Sequence, residues 1–417
     1  MNKSVFWLLA GMSLLQGGDY ENRVSQVRKT RGLAAFWDFV QTSDGLFAAH
    51  VPKAERHDLR LRAANYVLDY WGVGRAATYA DFPRLGRGPF GEGIEIRAER
   101  EADFRPVLLV PRKEMHDSGI DAKGPGRSVS MVAWVVRTGG NHAIAGIWHE
   151  GTDLKTAAGE ARRVEAGRRQ YAIFAGLAGN SGASAVHVSE NGGASFGDRY
   201  ARNMAVTAEV IPQVAPGAPG AEIDRNWTAV GFTFDNAKNT VTAYWNGQAN
   251  EYWIENPQKH PFYQWAARGW TQADLRRQPG LQEGEDAAFP VDQFYAPPER
   301  RARKLTVLSE NAAERVELVE YEFTRVRVTR AKGRQGKAAQ RQLVALKANP
   351  FWFGHDLYRP RSADEGGPFT VGRVIHSSRN VGFTGWIGGV AVFDRSLPAR
   401  EMKRLAEIGR SGVIGHP

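Results

Sequence analysis

Residues 227–247, WTAVGFTFDNAKNTVTAYWNG, constrain the fold more than any other stretch. Two runs of alternating apolar and polar or small residues flank a short polar connection at 235–239. Alternation with period two, closed by turn residues, predicts an antiparallel hairpin with one buried face. The second run ends in Asn246-Gly247, a dipeptide that readily adopts positive φ. The expected inward residues are Val230, Phe232, Phe234, Val241, Ala243 and Trp245.

Three further segments carry strand patterns, and with the hairpin they lie in the order typical of one family. They are RGLAAFWDF at 31–39, SVSMVAWVVR at 128–137 and FTGWIGGVAVFDRSLPAREMKRL at 383–405. Together the four segments resemble the LamG-like members of the concanavalin A-like lectin/glucanase superfamily. The resemblance implies an all-β, jelly-roll β-sandwich of two antiparallel sheets, with a short C-terminal helix at 399–408. Its functional content is small, because lectins, hydrolases, lyases and adhesion modules share this fold.

The resemblance also divides the chain. We expect one sandwich domain over 31–410, with an insertion at 248–367, because the family pattern stops at Gly247 and resumes at Pro368. The insertion predicts an extended aromatic loop followed by a basic β-hairpin. Residues 41–127, punctuated by prolines, predict mainly irregular structure with short strands.

The N-terminus has the composition of an export signal. Lys3 precedes an apolar run from Val5 to Leu15, which predicts a signal peptide over 1–18. Residues 19–30 predict a flexible lead-in. The apolar run is shorter than the roughly 20 residues that a membrane-spanning helix needs. We therefore expect a secreted, periplasmic or cell-surface bacterial protein with no membrane span after signal removal.

Positive charge is concentrated in one part of the insertion. The chain has a net charge of +10, and residues 299–347 contain 13 Lys and Arg against 6 Glu. A local excess of this kind attracts an anionic partner, here an acidic polysaccharide contacted by Arg325 and Arg327. The export signal and the lack of a nucleic-acid-binding motif argue against nucleic acid. An ordinary solvated strand face also has this composition.

Residues suited to carbohydrate chemistry occur on three successive predicted strands. Trp148, His149, Arg169, Tyr171 and His187 would suit a sugar acid if one sheet face displayed them, because arginine pairs with carboxylates and sulfates. His149 and Tyr171 are also the residue types that a polysaccharide lyase uses. A solvated sheet face without function remains the alternative. The paired carboxylates at 222–224 and 283–286 lie in a predicted turn and a Gly-containing loop and have little support as a hydrolase pair.

Metal and cofactor sites have little support. The chain has no cysteine, which excludes disulfides and thiolate ligands. The resemblance implies a calcium site with acidic residues on the closing strand, but Gly388 and Gly389 occupy those positions. No cofactor is predicted, and calcium is left open.

Tryptophan divides into two groups. Trp37, Trp134, Trp227 and Trp245 match positions at which the family buries aromatic residues. Four others lie in or beside the insertion and are candidates for stacking on a sugar: Trp253, Trp265, Trp270 and Trp352.

Three functions are compatible with these observations. The leading hypothesis is a non-catalytic carbohydrate-binding or adhesion module for an anionic polysaccharide. The second is a polysaccharide-active enzyme of the same fold, for which a lyase is favoured over a glycoside hydrolase. The third is a structural surface protein that contacts a protein partner through the insertion.

Overall fold

The computed structural model describes residues 19–140, 143–149, 154–155, 161–163, 168–176, 182–190, 192, 204–256, 297–333, 339–375 and 382–410. Its helices are α1 (19–28), α2 (Tyr66–Trp71), α3 (Arg112–Met115), α4 (Gly220–Arg225) and α5 (Ala399–Arg410), with 3-10 turns at Tyr79–Asp81 and Ala363–Glu365. In this part of the chain, no helix is long and apolar enough to cross a membrane.

Strands make up most of the regular secondary structure of the described residues. In chain order they are β1 (Leu33–Trp37), β2 (Thr42–Ser43), β3 (Leu46–Phe47), β4 (Arg62–Asn65), β5 (Ile94–Ile96), β6 (Pro106–Val110), β7 (Val129–Gly139), β8 (Ala143–His149), β9 (Leu154–Lys155), β10 (Ala161–Arg163), β11 (Arg168–Ala175), β12 (Ala183–Val188), β13 (Met204–Val210), β14 (Thr228–Asp235), β15 (Thr240–Trp245), β16 (Tyr252–Glu255), β17 (Lys304–Glu310), β18 (Glu314–Glu320), β19 (Thr324–Ala331), β20 (Gln340–Asn349), β21 (Phe351–Trp352), β22 (Phe369–Val371) and β23 (Thr384–Phe393).

Two seven-stranded antiparallel sheets form a sandwich. The first sheet has the order β1-β23-β7-β14-β15-β21, with β5 also paired to β23, and the second has the order β13-β12-β11-β8-β22-β6-β4. The central hairpin is β14 and β15, with Phe232 opposite Ala243. The first and last strands of the sandwich are neighbours, because β1 pairs with β23. The predicted all-β class, a sandwich of two antiparallel sheets with a short C-terminal helix, is confirmed.

Aromatic rings fill the space between the two sheets. The Trp37 ring of β1 stacks on Phe369 of β22 with centroids 5.0 Å apart, and Tyr171 of β11 lies 5.9 Å from Phe232 of β14. Each pair joins one sheet to the other. Because buried aromatic side chains contribute large apolar areas, these contacts account for much of the stability of the sandwich.

A second apolar layer lies on the outer face of the first sheet, under α1 and α5. Trp134 is fully buried there, 4.7 Å from the Phe90 ring, and it touches Gly409 of α5 so closely that a Cβ at that position would collide with its indole. Val27 of α1 is also buried in this layer. Residues 19–28 are therefore helical and anchored, whereas the sequence predicted a flexible lead-in.

One further expectation, the burial of Trp245, differs from the structure. Trp245 is only partly buried, because it lies at the end of β15, whereas Val241 and Ala243 are fully buried. The proline-punctuated region contributes β4 and β6, which pair with each other at the edge of the second sheet. Pro106 is tolerated because it is the first residue of its strand.

The insertion contains a third sheet of five strands in the order β16-β20-β19-β18-β17. The sequence predicted a basic hairpin here, and the structure adds β16 and β20 to the meander β17-β18-β19. Asn349, at the end of β20, joins this sheet to the sandwich. Its buried side chain accepts from the N–H of Ala243 at 2.8 Å and donates to the carbonyls of Ala243 at 2.9 Å and Asn250 at 3.1 Å.

Candidate functional site

The predicted sheet-face residues are buried, so the expectation of a solvated face is wrong for them. Trp148, Arg169 and His187 are at most 2% exposed. The ring centroids of Trp148 and His187 lie 5.5 Å apart, and the Arg169 guanidinium lies 5.8 Å from the centroid of the Trp148 ring. These three side chains do form one cluster on the second sheet. As a buried cluster, it offers no open surface for a polysaccharide chain.

The two candidate catalytic residues do not converge. Tyr171 points between the sheets, and its hydroxyl donates to the carbonyl of Ile120 at 2.5 Å. Burial, with the nearby Asp121 carboxylate, raises the pKa of Tyr171 well above its usual value, which makes it a poor general base near neutral pH. His149 is fully buried, with Nε2 2.7 Å from the hydroxyl of Tyr70. This geometry does not support a lyase mechanism through these residues.

Arg325 and Arg327 lie on β19 of the third sheet. The Arg325 guanidinium lies 2.8 Å from Glu255 and from Glu320, and 4.2 Å from the centroid of the Trp253 ring. Its charge is thus largely matched inside the protein, and it covers one of the predicted stacking residues. Arg327 is exposed and lies 3.4 Å from Gln342. Trp265 and Trp270 lie outside the described residues.

A groove between the sandwich and the third sheet brings other basic residues together. It has a volume of about 660 Å³, within the usual range for ligand sites. We call it the arginine groove. Its described lining is Ala237, Lys238, Asn239, Pro298, Arg300, Arg301, Ala302, Arg303, Glu322, Phe323 and Trp352.

The turn between β14 and β15 forms one wall of the groove. Asp235 accepts from the N–H of Lys238 at 3.1 Å, and Asn239 has a φ of 55°, a conformation that asparagine tolerates well. The carbonyl of Asn239 then accepts from the N–H of Phe353 at 2.8 Å. The polar residues in the middle of the central hairpin therefore fix both the turn and its contact with β21.

Trp352, the second of the two residues of β21, is half-buried in the groove. Thr240 lies opposite it in the strand pairing. Its indole passes so close to Gly354 that a Cβ at that position would lie 2.2 Å from the ring. Gly354 is thus needed for this ring position, and Trp352 is the predicted stacking residue that the structure places in a groove.

The charge of the lining is strongly positive. Its described members include four cations, Lys238, Arg300, Arg301 and Arg303, against the single carboxylate of Glu322. Lys238 lies 3.0 Å from Asp235 and Arg303 lies 3.6 Å from Glu251. Arg300 and Arg301 are exposed, and neither has an ion pair with another described residue. These two side chains are the cations that remain available to a ligand.

One cluster has the composition of a metal site. His116, Asp117 and Asp121 could place ligand atoms within 4.8 Å of one another. However, the ammonium of Lys123 bonds both carboxylates, and the Arg112 guanidinium lies 2.8 Å from Asp121. Since two cations already neutralise these carboxylates, the cluster is arranged as an ion-pair network rather than as a cation site.

The positions expected to carry calcium ligands on the closing strand are closed by packing. A Cβ at Gly388 would lie 2.4 Å from Pro89, and one at Gly389 would lie 2.9 Å from the Phe90 ring. An acidic side chain does not fit at either position without moving these neighbours. Glycine at both positions therefore has a steric reason.

No family model and no curated protein sequence matches this chain. Among solved structures, domain 4 of AbnA, a GH43 extracellular arabinanase from Geobacillus stearothermophilus solved with arabinotriose, is 11% identical, with a TM-score of 0.35 and coverage of 90% of this chain and 98% of that one. A botulinum neurotoxin type C structure, whose title concerns two ganglioside molecules, is 8% identical, with a TM-score of 0.34 and coverage of 93% and 53%. The binding domain of Paraclostridial Mosquitocidal Protein 1 is 8% identical, with a TM-score of 0.36 and coverage of 91% and 52%. This chain spans about half of each toxin chain, and scores at this level transfer neither topology nor ligand.

Arg300 and Arg301 were missed individually by the sequence analysis, although they belong to its basic segment. Their position could have identified them. They precede the alternating run of β17, so they have no cross-strand glutamate opposite them. The turn residues at 237–239 carried no charge pattern that would associate them with a basic segment so distant in sequence.

Proposed function

We propose that this protein is a non-catalytic carbohydrate-binding module that binds an acidic polysaccharide in the arginine groove, outside the cell. The observation that supports the proposal is the combination, in one groove, of the half-buried ring of Trp352 with two arginines that have no ion pair to another described residue. The predicted signal peptide, on which export rests, lies outside the described residues.

The chemistry of the groove fits a chain of uronate or sulfated sugars. A guanidinium donates two parallel hydrogen bonds to a carboxylate or sulfate, and an indole face stacks on the apolar side of a sugar ring. Glu322 is the one acid in the lining, and it would repel part of such a ligand. The expected mode is therefore charge pairing at Arg300 and Arg301, with the ring of Trp352 orienting one sugar.

The test is calorimetric titration with polygalacturonate, with neutral laminarin as the comparison ligand. The double variant Arg300→Glu, Arg301→Glu should weaken polygalacturonate binding by at least about tenfold, since each charged hydrogen bond contributes about 1.5–3 kcal/mol. The matched control is Arg400→Glu, Arg404→Glu on the exposed side of α5. It makes the same change in net charge away from the groove and should bind like the wild type.

Salt gives an independent check. Binding should weaken as sodium chloride rises from 0.1 to 1 M, because the Debye length falls from about 10 Å to about 3 Å. Equal binding of laminarin, or equal losses in the groove variant and the α5 control, would overturn the assignment of an acidic glycan to this groove.

A further inference from the structure

Three concave surfaces lie side by side at one end of the first sheet. Leu33 of β1 pairs with Phe393 of β23. Phe393 pairs with Ser130 of β7, and Ser130 pairs with Thr233 of β14. The beginning of β1, the end of β23, the beginning of β7 and the turn between β14 and β15 therefore form a row. The arginine groove, which contains this turn, occupies one end of the row.

A cleft at the other end of the row carries only positive charges. It lies between residues 25–33 and 51–53, has a volume of about 530 Å³, and is called the α1 cleft below. Its described lining contains no carboxylate and four exposed cations: Arg28, Lys29, Arg31 and Lys53. None of the four has an ion pair with another described residue. Arg28 and Lys29 also suit the C-terminus of α1, but Arg31 and Lys53 lie outside any helix, so the helix dipole does not account for the cluster.

A third cleft, of about 420 Å³, lies between the α1 cleft and the arginine groove. This middle cleft is lined by the segments 117–123 and 125–128, with Arg359 and Asp394. The N–H of Asp394 donates to the carbonyl of Gly32 in the α1 cleft at 2.8 Å. On the other side, the N–H of Gly126 donates to the side-chain oxygen of Asn236, beside the turn of the arginine groove, at 2.9 Å. The three surfaces therefore adjoin one another.

The middle cleft adds two available cations to the row. Its Lys123 is held by Asp117 and Asp121. Arg127 and Arg359 are exposed, and neither has an ion pair with another described residue. The carboxylates without an ion pair in the described linings of the three surfaces are Asp394 and Glu322. Available positive charge thus exceeds available negative charge along the whole row.

We propose that an acidic polysaccharide held in the arginine groove continues through the middle cleft into the α1 cleft. This inference rests on the function proposed above and extends its site. From β15 to β1 the row crosses four strand spacings, about 19 Å, a distance that one extended chain covers and a short oligomer does not. A uronate chain carries a carboxylate on every sugar, which matches a row of guanidinium and ammonium groups.

The arginine groove remains the anchor of this path. No aromatic residue lies in the described lining of the middle cleft or the α1 cleft, so stacking on a sugar ring is provided by Trp352 in the groove. Once the groove holds one part of a chain, contact with the next part is intramolecular and adds affinity. The two clefts therefore select for the length and charge of the ligand rather than for a particular sugar.

The first test compares polygalacturonate with digalacturonate in calorimetric titrations of the full chain. The variant Arg31→Glu, Lys53→Glu should bind polygalacturonate at least about tenfold more weakly than the wild type, since two charged contacts are lost. Its affinity for digalacturonate should equal that of the wild type, because this ligand occupies the groove alone. Circular dichroism checks that the variant folds.

The matched control is Arg100→Glu, Arg225→Glu. Both arginines are exposed, and neither has an ion pair with another described residue. They lie at the opposite end of the first sheet, since Arg100 follows β5, which pairs with the beginning of β23, and Arg225 precedes β14. This variant makes the same change in net charge and should bind both ligands like the wild type.

The second test is amide hydrogen exchange of the wild type. Polygalacturonate should slow exchange in residues 28–33 and 298–303, whereas digalacturonate should slow it in 298–303 alone. Unprotected amides at 28–33 in the polygalacturonate complex would overturn the extended path and leave the groove as the whole site. So would unchanged polygalacturonate binding by Arg31→Glu, Lys53→Glu, or a loss equal to that of the control or equal for both ligands. A wild type that binds no polygalacturonate would overturn the proposed function and the path together.

Discussion

The carboxylate of Asp121 bonds four different groups beside the second sheet. It receives hydrogen bonds from Gln170 at 3.1 Å and from the backbone N–H of Asp117 at 2.9 Å, besides the ion pairs with Arg112 and Lys123. Burial by itself raises the pKa of Asp121. The charge of Arg112 and these hydrogen bonds more than offset burial, so the pKa lies below its usual value.

This lowered pKa makes stability depend on pH at the acidic end. Because the folded-state pKa is below the unfolded value of about 3.9, the stabilisation is fully present above that value and is lost as pH falls through the folded pKa. We expect Asp121→Asn to lower the free energy of unfolding at pH 7 by about 3 kcal/mol, because it leaves the buried Arg112 guanidinium without its carboxylate, whereas Lys123 keeps its pair with Asp117. In urea titrations, the difference between wild type and variant should shrink below about pH 4.

The control is Asp364→Asn, whose carboxylate makes an exposed pair with Lys113 at 3.2 Å. Exposed pairs contribute little, so this variant should unfold like the wild type at every pH. Similar losses for both variants, or a loss at Asp121 that does not change with pH, would contradict the role assigned to the buried network.

At the scale of elements, the side chain of Asn349 links β20 to β15, because it makes the hydrogen bonds to Ala243 that a neighbouring strand's backbone would otherwise make. We expect Asn349→Ala to destabilise the protein by about 2–4 kcal/mol, since it leaves the buried N–H and carbonyl of Ala243 without these partners. Chemical denaturation measures the loss. Asn250→Ala removes an exposed amide that bonds Glu209 and should change stability by less than about 0.5 kcal/mol. An equally mild effect at Asn349 would show that the two sheets are held together by other contacts.

The elements that could be predicted from the sequence are those whose pattern is local. The alternation of β14 and β15 and the apolar runs of β1, β7, β8, β11, β12 and β23 locate these strands without reference to distant residues. Strands β4 and β6 were not predicted, because they are short and one begins with Pro106. Their strand character depends on pairing with each other and with β22, which no local window contains.

The residues of the candidate site show the same division. The basic segment was evident from composition, and Trp352 was predicted to stack. Which arginines remain available was not evident, because Arg325 is matched by Glu320 across a strand and by Glu255 from another strand. The buried cluster around Trp148 and His187 was placed on a solvated face because polar residue types suggested exposure, although aromatic packing encloses them.

At the scale of the whole molecule, the third sheet leaves and rejoins the sandwich at one place. Strand β16 pairs with the end of β20, Glu255 lies opposite Ala345, and the N–H of Asn256 donates to the carbonyl of Val344 at 2.8 Å. Asn256 already has a φ of 50°. Deleting residues 257–343 and changing Val344→Gly would therefore close this pair with an Asn-Gly turn, the favoured two-residue hairpin connection.

We expect that shortened protein to fold with a cooperative thermal transition and to lose polygalacturonate binding, since Arg300, Arg301 and Arg303 are removed. Circular dichroism and calorimetric titration measure the two outcomes separately. An unfolded or aggregated product would show that the sandwich depends on the third sheet. Retained binding would move the glycan site away from the arginine groove.

The paired ends of β16 and β20 bear on how the length of this protein can change in evolution. The entropic cost of closing a loop rises by only about 0.6 kcal/mol for each doubling of its length, so a hairpin whose two ends are already paired tolerates extra sequence between them. Lineages that share this sandwich should therefore differ most in length between the positions equivalent to Asn256 and Val344. The ligand preference proposed for the arginine groove would then be acquired or lost as a single inherited segment.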